Sequence, residues 1–116
     1  MKLADLFDCL LLDLDGVVYI GGSPTPGAGE TIKKLRDEGK TVVFVTNDPK
    51  HTAAGYSEKL RELGVETAPE DVITSGMALA HHIKSTHGDV DGLKAYVVGS
   101  RSLKEEIGLT GLSVVE

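Results

Sequence analysis

The chain has 116 residues, 41% hydrophobic and 26% charged, with a formal net charge of −6 at pH 7 and a single cysteine. That length supports one domain with one core, and the acidic balance argues against a nucleic-acid binder, which would carry a basic patch. One cysteine excludes an internal disulfide and fits a reducing compartment, no leader-like segment opens the chain, and no apolar run approaches the ~20 residues that span a bilayer, so a cytoplasmic protein with no membrane partner is expected.

The first element predicted is a strand at Cys9-Leu10-Leu11-Leu12. Four consecutive apolar residues suit a strand buried on both faces of a parallel sheet, and Cys9 among them reads as a buried thiol. The strand runs into Asp13-Leu14-Asp15-Gly16. Side chains alternate along a strand, so Asp13 and Asp15 start on one side with Leu14 opposite. Gly16 lets the backbone leave through conformations closed to other residues. Ile20 to Gly27, with its glycines and prolines, reads as a loop.

A helix is expected from Ala28 or Gly29, with Ile32 and Leu35 inward and Gly39 at its end. Glu30, Lys33, Lys34, Asp37 and Glu38 form its solvated face, and Arg36 is assigned to such a face too. Thr41 to Thr46 is a second strand, rich in β-branched residues, and Asn47-Asp48-Pro49 stops it. Thr52 is placed to cap a second helix carrying Ala53, Tyr56, Leu60 and Leu63 at helical spacing, with Gly64 as its terminator. Val72-Ile73-Thr74 is a short third strand, and Ser75 is the expected cap of a helix that turns Met77, Ala80 and Ile83 inward. Glu66, Glu70 and Asp71 precede that strand, which puts them at the sheet edge opposite Asp13 and Asp15.

This β-α-β-α-β-α order predicts an α/β fold, a doubly wound (Rossmann-like) parallel sheet with right-handed crossovers. Periodicity then breaks at His87-Gly88-Asp89-Val90-Asp91-Gly92, which reads as a linker or domain boundary. Beyond it, Lys94 to Gly99 forms a fourth strand. Ser102 and Glu105 have capping-box spacing for a short helix through Ile107, and Leu112 to Glu116 forms a last strand. An apolar strand at a terminus needs a neighbour to cover it. Two expectations follow: that the chain is the front portion of a longer protein, and that pairing with a second copy gives it a route to a homo-oligomer.

The carboxyl ends of strands are where open α/β sheets bind ligands. Two carboxylates placed there about 5 Å apart repel by about 3 kcal/mol at an effective dielectric of about 20. Either one of them holds a proton or a cation sits between them; Mg²⁺, a hard oxygen-ligand cation, fits the second case. The plainer alternative is an exposed Asp-Asp-Gly turn closing a strand. The second strand ends on the same edge in Thr46-Asn47-Asp48, whose hydroxyl, amide and nearby N–H groups suit the oxygens of a phosphate. Asp13 can then attack phosphorus, while Asp15 protonates the leaving oxygen and later activates water. The adjacent His81 and His82 point about 100° apart on a helix and cannot share one metal.

Asp13-Leu14-Asp15-Gly16-Val17 resembles the first motif of the haloacid dehalogenase-like (HAD) hydrolases. Val18-Tyr19-Ile20-Gly21-Gly22, followed by Pro26-Gly27-Ala28, is similar to the NagD and 4-nitrophenylphosphatase branch of that superfamily. Val43-Phe44-Val45-Thr46-Asn47 resembles the second motif, and Val72-Ile73-Thr74-Ser75-Gly76 and Ala95-Tyr96-Val97-Val98-Gly99 also resemble the branch. The resemblance implies the N-terminal half of a HAD-type core over residues 1–89 and the first β-α-β of an α/β cap domain over residues 90–116. It implies a Mg²⁺-dependent phosphatase that hydrolyses a small phosphate ester through an aspartyl-phosphate intermediate. Asp13 would be the nucleophile and Asp15 the general acid and base. The Asp13 carboxylate and the Asp15 carbonyl would ligate Mg²⁺. Thr46, Asn47 and the N–H groups around Asp15 and Gly16 would hold the phosphoryl group.

Two departures stand out. Asp48 occupies the place of a second asparagine in that branch, and the lysine and acidic pair of the family's later motifs have no counterpart before Glu116. Weak or absent catalysis by this chain alone is therefore expected. Two other readings are carried beside the phosphatase. One is a receiver-like phosphoacceptor module, disfavoured because receivers draw their acids from different strands. The other is a non-catalytic fragment or binding module, which the two departures keep open.

Overall fold

The computed structural model describes residues 1–115. The backbone forms two compact units, one made of Met1–Thr46 with Ala53–Ile73, the other of Asn47–Thr52 with the chain from Thr74 onward. Among the described residues no helix is long and apolar enough to cross a membrane.

In the first unit the chain lays down β1 (Cys9–Asp13), a short antiparallel pair β2 (Tyr19–Ile20) and β3 (Ser23–Pro24), helix α1 (Ala28–Asp37), β4 (Thr41–Thr46) and helix α2 (Ala53–Glu62), then enters β5 (Val72–Thr74). The main sheet has the order β1-β4-β5, and β1 runs parallel to β4 with Cys9 to Asp13 opposite Thr41 to Val45. This is the Rossmann-like α/β arrangement expected from the element order. The β2–β3 pair, which starts at Tyr19, falls mostly in the stretch from Ile20 onward expected to be loop. A pair only two residues long per strand carries too little alternation to be seen in a sequence.

The central strand β4 alternates as a strand with one well-covered face should: Val42, Phe44 and Thr46 are buried and Thr41 and Val45 are exposed. Phe44 joins Leu14, Val18, Tyr19, Ile32, Tyr56, Leu60, Val65 and Val72 in one core. Burying each large apolar side chain of this kind contributes roughly 1.5–3 kcal/mol. The start of α1 lies tight against the turn after α2, where a Cβ on Gly29 would strike the Gly64 carbonyl oxygen. Gly64 itself, at φ +85°, ends the turn after α2 in a left-handed conformation.

β1 departs from expectation. Leu10 and Leu12 are half-buried, whereas Cys9 is exposed and Leu11 is 68% exposed. The continuous apolar run suggested two covered faces, but among the described residues β1 lies at the edge of this sheet, hydrogen-bonded to β4 alone. Only the face bearing Leu12 packs on the core, so the thiol expected to be buried lies on the open face.

The second unit contains α3 (Ser75–His87), β6 (Lys94–Tyr96), α4 (Arg101–Gly108) and β7 (Ser113–Val115). β6 and β7 form a two-stranded parallel sheet joined through α4, a β-α-β unit. Gly76 of α3 sits against Leu103 and Glu106 of α4, where a Cβ would lie 3.3 Å from the Glu106 Cγ. Both helices are capped before the expected serine, α3 by one residue and α4 by two. Thr74, not Ser75, caps α3 by accepting from the Met77 N–H at 3.1 Å, and Ser100, not Ser102, caps α4 by accepting from the Leu103 N–H at 3.2 Å. An N-cap needs extended backbone; Thr74 and Ser100 have ψ of 161° and 162°, while Ser75 and Ser102 already lie inside their helices. α3 ends at His87 with Gly88 at its C-cap, while the compact unit that contains α3 begins at Thr74 and not after His87. Glu116, the last residue of the closing strand expected from sequence, lies outside the described residues.

Candidate active site

Asp13 is the last residue of β1 and stands opposite Val45, one residue before Thr46 at the end of β4. Because the two strands are parallel, both endings open on the same edge of the sheet. Leu14 is completely buried, whereas Asp13 and Asp15 are exposed on either side of it. The single apolar residue between the carboxylates is thus the anchor that presents them.

The backbone around that anchor is tightly organised. The Leu14 carbonyl accepts from the N–H groups of Val17 at 3.1 Å, Val18 at 2.9 Å and Tyr19 at 3.3 Å. Asp15 bridges to Tyr19 as an isolated parallel pair, and the Gly16 N–H donates to the Tyr19 carbonyl at 2.8 Å. Gly16 makes this turn at φ +86°, a left-handed conformation that a side chain would strain. Its N–H, expected to face a phosphoryl group, is instead spent on closing the turn. Thr25 fastens the far side: its Oγ1 donates to the Val17 carbonyl at 2.8 Å and its N–H donates to the Val18 carbonyl at 2.9 Å. The buried Tyr19 ring lies under the Lys59 ammonium, 4.0 Å from the ring centroid.

Asp13 Oδ1 accepts from the Leu14 N–H at 2.8 Å, which orients the carboxyl. Among the described residues, no lysine or arginine forms an ion pair with Asp13 or Asp15. Two uncompensated carboxylates on a fixed turn attract a cation. The described residues contain no group of three or more His, Cys, Asp or Glu side chains that could hold a metal. The donors on offer are therefore the carboxylate oxygens of Asp13 and Asp15 and the backbone carbonyls beside them. That set fits Mg²⁺, which takes one or two carboxylates and completes its shell with water and substrate oxygens, and does not fit a soft metal.

Thr46 is buried at the end of β4. Asn47, the next residue, is exposed and belongs to the second compact unit. Within that unit Asp48 Oδ1 accepts from the Lys50 N–H at 3.0 Å, a local side-chain turn that gives the carboxylate a structural role.

At the other end of the first unit, Arg36 is not merely part of a solvated face. Its guanidinium donates to the Glu66 carbonyl and to Asp71 Oδ2, and lies 5.8 Å from the centre of the Phe44 ring. Asp71 Oδ2 also accepts from the Thr67 hydroxyl at 3.3 Å and the Ala68 N–H at 3.1 Å. Sequence reasoning missed Tyr19, Thr25 and Lys59 as supports of the Asp15 turn. Their partners are backbone groups and a ring face, which leave no spacing signature.

A parallel α/β sheet that presents two exposed carboxylates and a glycine turn where its first strand ends is a Rossmann-like scaffold with an acid pair at the ligand-binding edge. Residues 10–113 match the family profile described as haloacid dehalogenase-like hydrolase, and the chain belongs to that family. It is 38% identical over 113 residues to glycerol-3-phosphate phosphatase of Mus musculus, covering 93% of this chain and 35% of that protein. Among solved structures it resembles the Mycobacterium tuberculosis glycerol phosphate phosphatase in complex with magnesium, with a TM-score of 0.85 and 35% identity over 97% of this chain and 33% of that one. It also resembles the 4-nitrophenylphosphatase of Thermotoga maritima, with a TM-score of 0.84 and 30% identity over 100% of this chain and 43% of that one. The chain spans about a third of the length of the curated relatives it matches, 35% to 37% for the first three.

Proposed function

We propose that the chain carries the nucleophile half of a Mg²⁺-dependent phosphatase acting on a small phosphate ester in the cytoplasm. The observation that carries this reading is the exposed, unpaired Asp13 and Asp15 held on either side of the fully buried Leu14. Similarity to phosphatases of glycerol phosphate and 4-nitrophenyl phosphate supports the substrate class. Residues 1–89 are assigned to the core and residues 90–116 to the opening β-α-β of a cap, an assignment supported by the break after His87 and the separate parallel pair of β6 and β7.

In this mechanism an Asp13 carboxylate oxygen attacks phosphorus, a new P–O bond forms and the ester P–O bond breaks. Asp15, protonated, gives its proton to the departing alkoxide. Asp15 then takes a proton from water, whose oxygen attacks the aspartyl-phosphate; the Asp13–phosphorus bond breaks and inorganic phosphate leaves. The Thr46 hydroxyl and the Asn47 amide hold phosphoryl oxygens, and Gly16 contributes the turn that aims Asp15. Mg²⁺, held by the Asp13 carboxylate and the Asp15 carbonyl, would neutralise charge on the transferring group. One protein carboxylate and one backbone carbonyl make a weak site for that ion, so slow turnover is expected of this chain.

The test is hydrolysis of an aryl phosphate with and without Mg²⁺, together with intact-mass detection of a phosphoryl adduct. Mg²⁺-dependent turnover or a trapped adduct, lost in Asp13→Asn, supports the reading. Turnover that survives Asp13→Asn, or the absence of both signals at millimolar Mg²⁺, favours a non-catalytic binding module.

A further inference from the structure

The loop Asn47–Thr52 leaves the end of β4, yet it clusters with the second unit rather than with the sheet. Two hydroxyls from the start of α4 reach across more than fifty residues of sequence to hold it. The Ser100 Oγ donates to the Pro49 carbonyl, and the Ser102 Oγ donates to the Lys50 carbonyl at 2.9 Å. Between them the Asp48 carboxylate accepts from the Lys50 N–H at 3.0 Å. Three hydrogen bonds therefore fix three successive residues directly after Asn47. Ser100 also accepts from the Leu103 N–H as the cap of α4, so one hydroxyl both starts that helix and grips the loop. A solvated loop would satisfy these carbonyls with water. Consecutive carbonyls bound by two serines on one helical turn form a built clamp.

We propose that Ser100 and Ser102 are positioning residues: they set the place of Asn47, and through it the affinity for a phosphoryl group. The inference rests on the reading of Asn47 as a phosphate contact. It also accounts for Asp48, whose carboxylate is turned back on its own loop as the third member of the clamp. The identity of the residue after Asn47 then matters for loop geometry, where aspartate and asparagine serve alike as acceptors.

The test separates the clamp from the helix cap. Ser100→Asp retains an acceptor for the Leu103 N–H, since aspartate is a good N-cap, but has no hydroxyl to donate to Pro49. Ser100→Thr retains both functions. Ser102→Ala removes the second grip. Amide exchange of the 47–52 segment and binding of inorganic phosphate with Mg²⁺, followed by NMR, are measured for each variant and for Asn47→Ala.

Ser100→Asp combined with Ser102→Ala is expected to speed exchange in 47–52 by roughly tenfold or more, as local opening becomes easier. Phosphate affinity should fall roughly fivefold, about the effect of one misplaced hydrogen bond, with Ser100→Thr close to the parent. Unchanged exchange in the double variant overturns the clamp. Faster exchange with parental phosphate affinity, while Asn47→Ala weakens binding, overturns positioning and leaves the Asn47 assignment standing. Parental affinity in Asn47→Ala, or no phosphate binding by the parent chain, removes the Asn47 assignment and this inference with it.

Discussion

The first unit holds two groups of carboxylates at opposite edges of one sheet, and they are treated in opposite ways. Asp71, at the amino edge of β5, accepts from the Arg36 guanidinium, the Thr67 hydroxyl and the Ala68 N–H. Asp13 and Asp15, at the carboxyl edge of β1, pair with no cation among the described residues, although the backbone between them is fixed by the Leu14 carbonyl and the Tyr19 bridge. The charge of Asp71 is consumed in joining α1 to the segment before β5. The charges of Asp13 and Asp15 meet no lysine or arginine among the described residues. An acid whose partners are all internal is structural; an oriented acid lacking them is the mark of a site.

That contrast can be broken or sharpened by substitution. The largest effect is expected from Asp13→Asn, which should lower aryl phosphate turnover by roughly a thousandfold or more while leaving the melting temperature nearly unchanged. A large stability loss instead would make Asp13 a structural acid like Asp71. Arg36→Met should do the reverse. It leaves Asp71 and the Glu66 carbonyl short of a donor and should cost about 1–2 kcal/mol, reduced by partial solvent access. A drop of several degrees in the melting temperature with no change in Mg²⁺ or phosphate binding is the expected outcome.

Gly29→Ala tests the packing between the two edges. Alanine normally favours a helix over glycine by about 1 kcal/mol, but here the Cβ meets the Gly64 carbonyl, a backbone atom with little room to yield. A net loss of about 1–3 kcal/mol in denaturant unfolding is expected; a gain would mean that α1 can slide away from Gly64. Lys59→Met removes the ammonium over Tyr19 and should cost about 0.5–1 kcal/mol, with a fall in turnover if the Tyr19 bridge aims Asp15.

The smallest effect concerns Lys33, whose Nζ donates to Asp37 at 2.8 Å on the solvent face of α1. The hydrogen bond to the Asp37 carboxylate, with its charge, holds the Lys33 ammonium above the ordinary lysine value. A raised folded value stabilises below the unfolded lysine range and is lost as pH rises through the folded value. The pair's small contribution should therefore stay constant from about pH 6 to about 9 and be lost only as pH rises through the folded lysine value. Lys33→Met should leave the melting temperature at pH 7 almost unchanged, because both side chains are well exposed.

Much of this molecule was legible in the sequence. The bounds of β4 and the start of α1 at Ala28 follow from β-branched runs, glycine stops and helical periodicity, all of which act over a few residues. The alternation that exposes Asp13 and Asp15 and buries Leu14 is equally local. Tertiary structure alone decided the rest. Whether Leu11 and Cys9 are covered depends on how many strands and helices flank β1, and an apolar run says nothing of that number. Arg36 looked like any exposed helical arginine until the segment around Glu66 and Asp71 folded across it. The Gly16 N–H was committed to Tyr19 by the geometry of the turn, and Ser100 and Ser102 met Pro49 and Lys50 across more than fifty residues. Propensity and periodicity are properties of neighbours in the chain. Pairing of a donor with a distant carbonyl, and the covering of a strand face, are properties of where the chain returns.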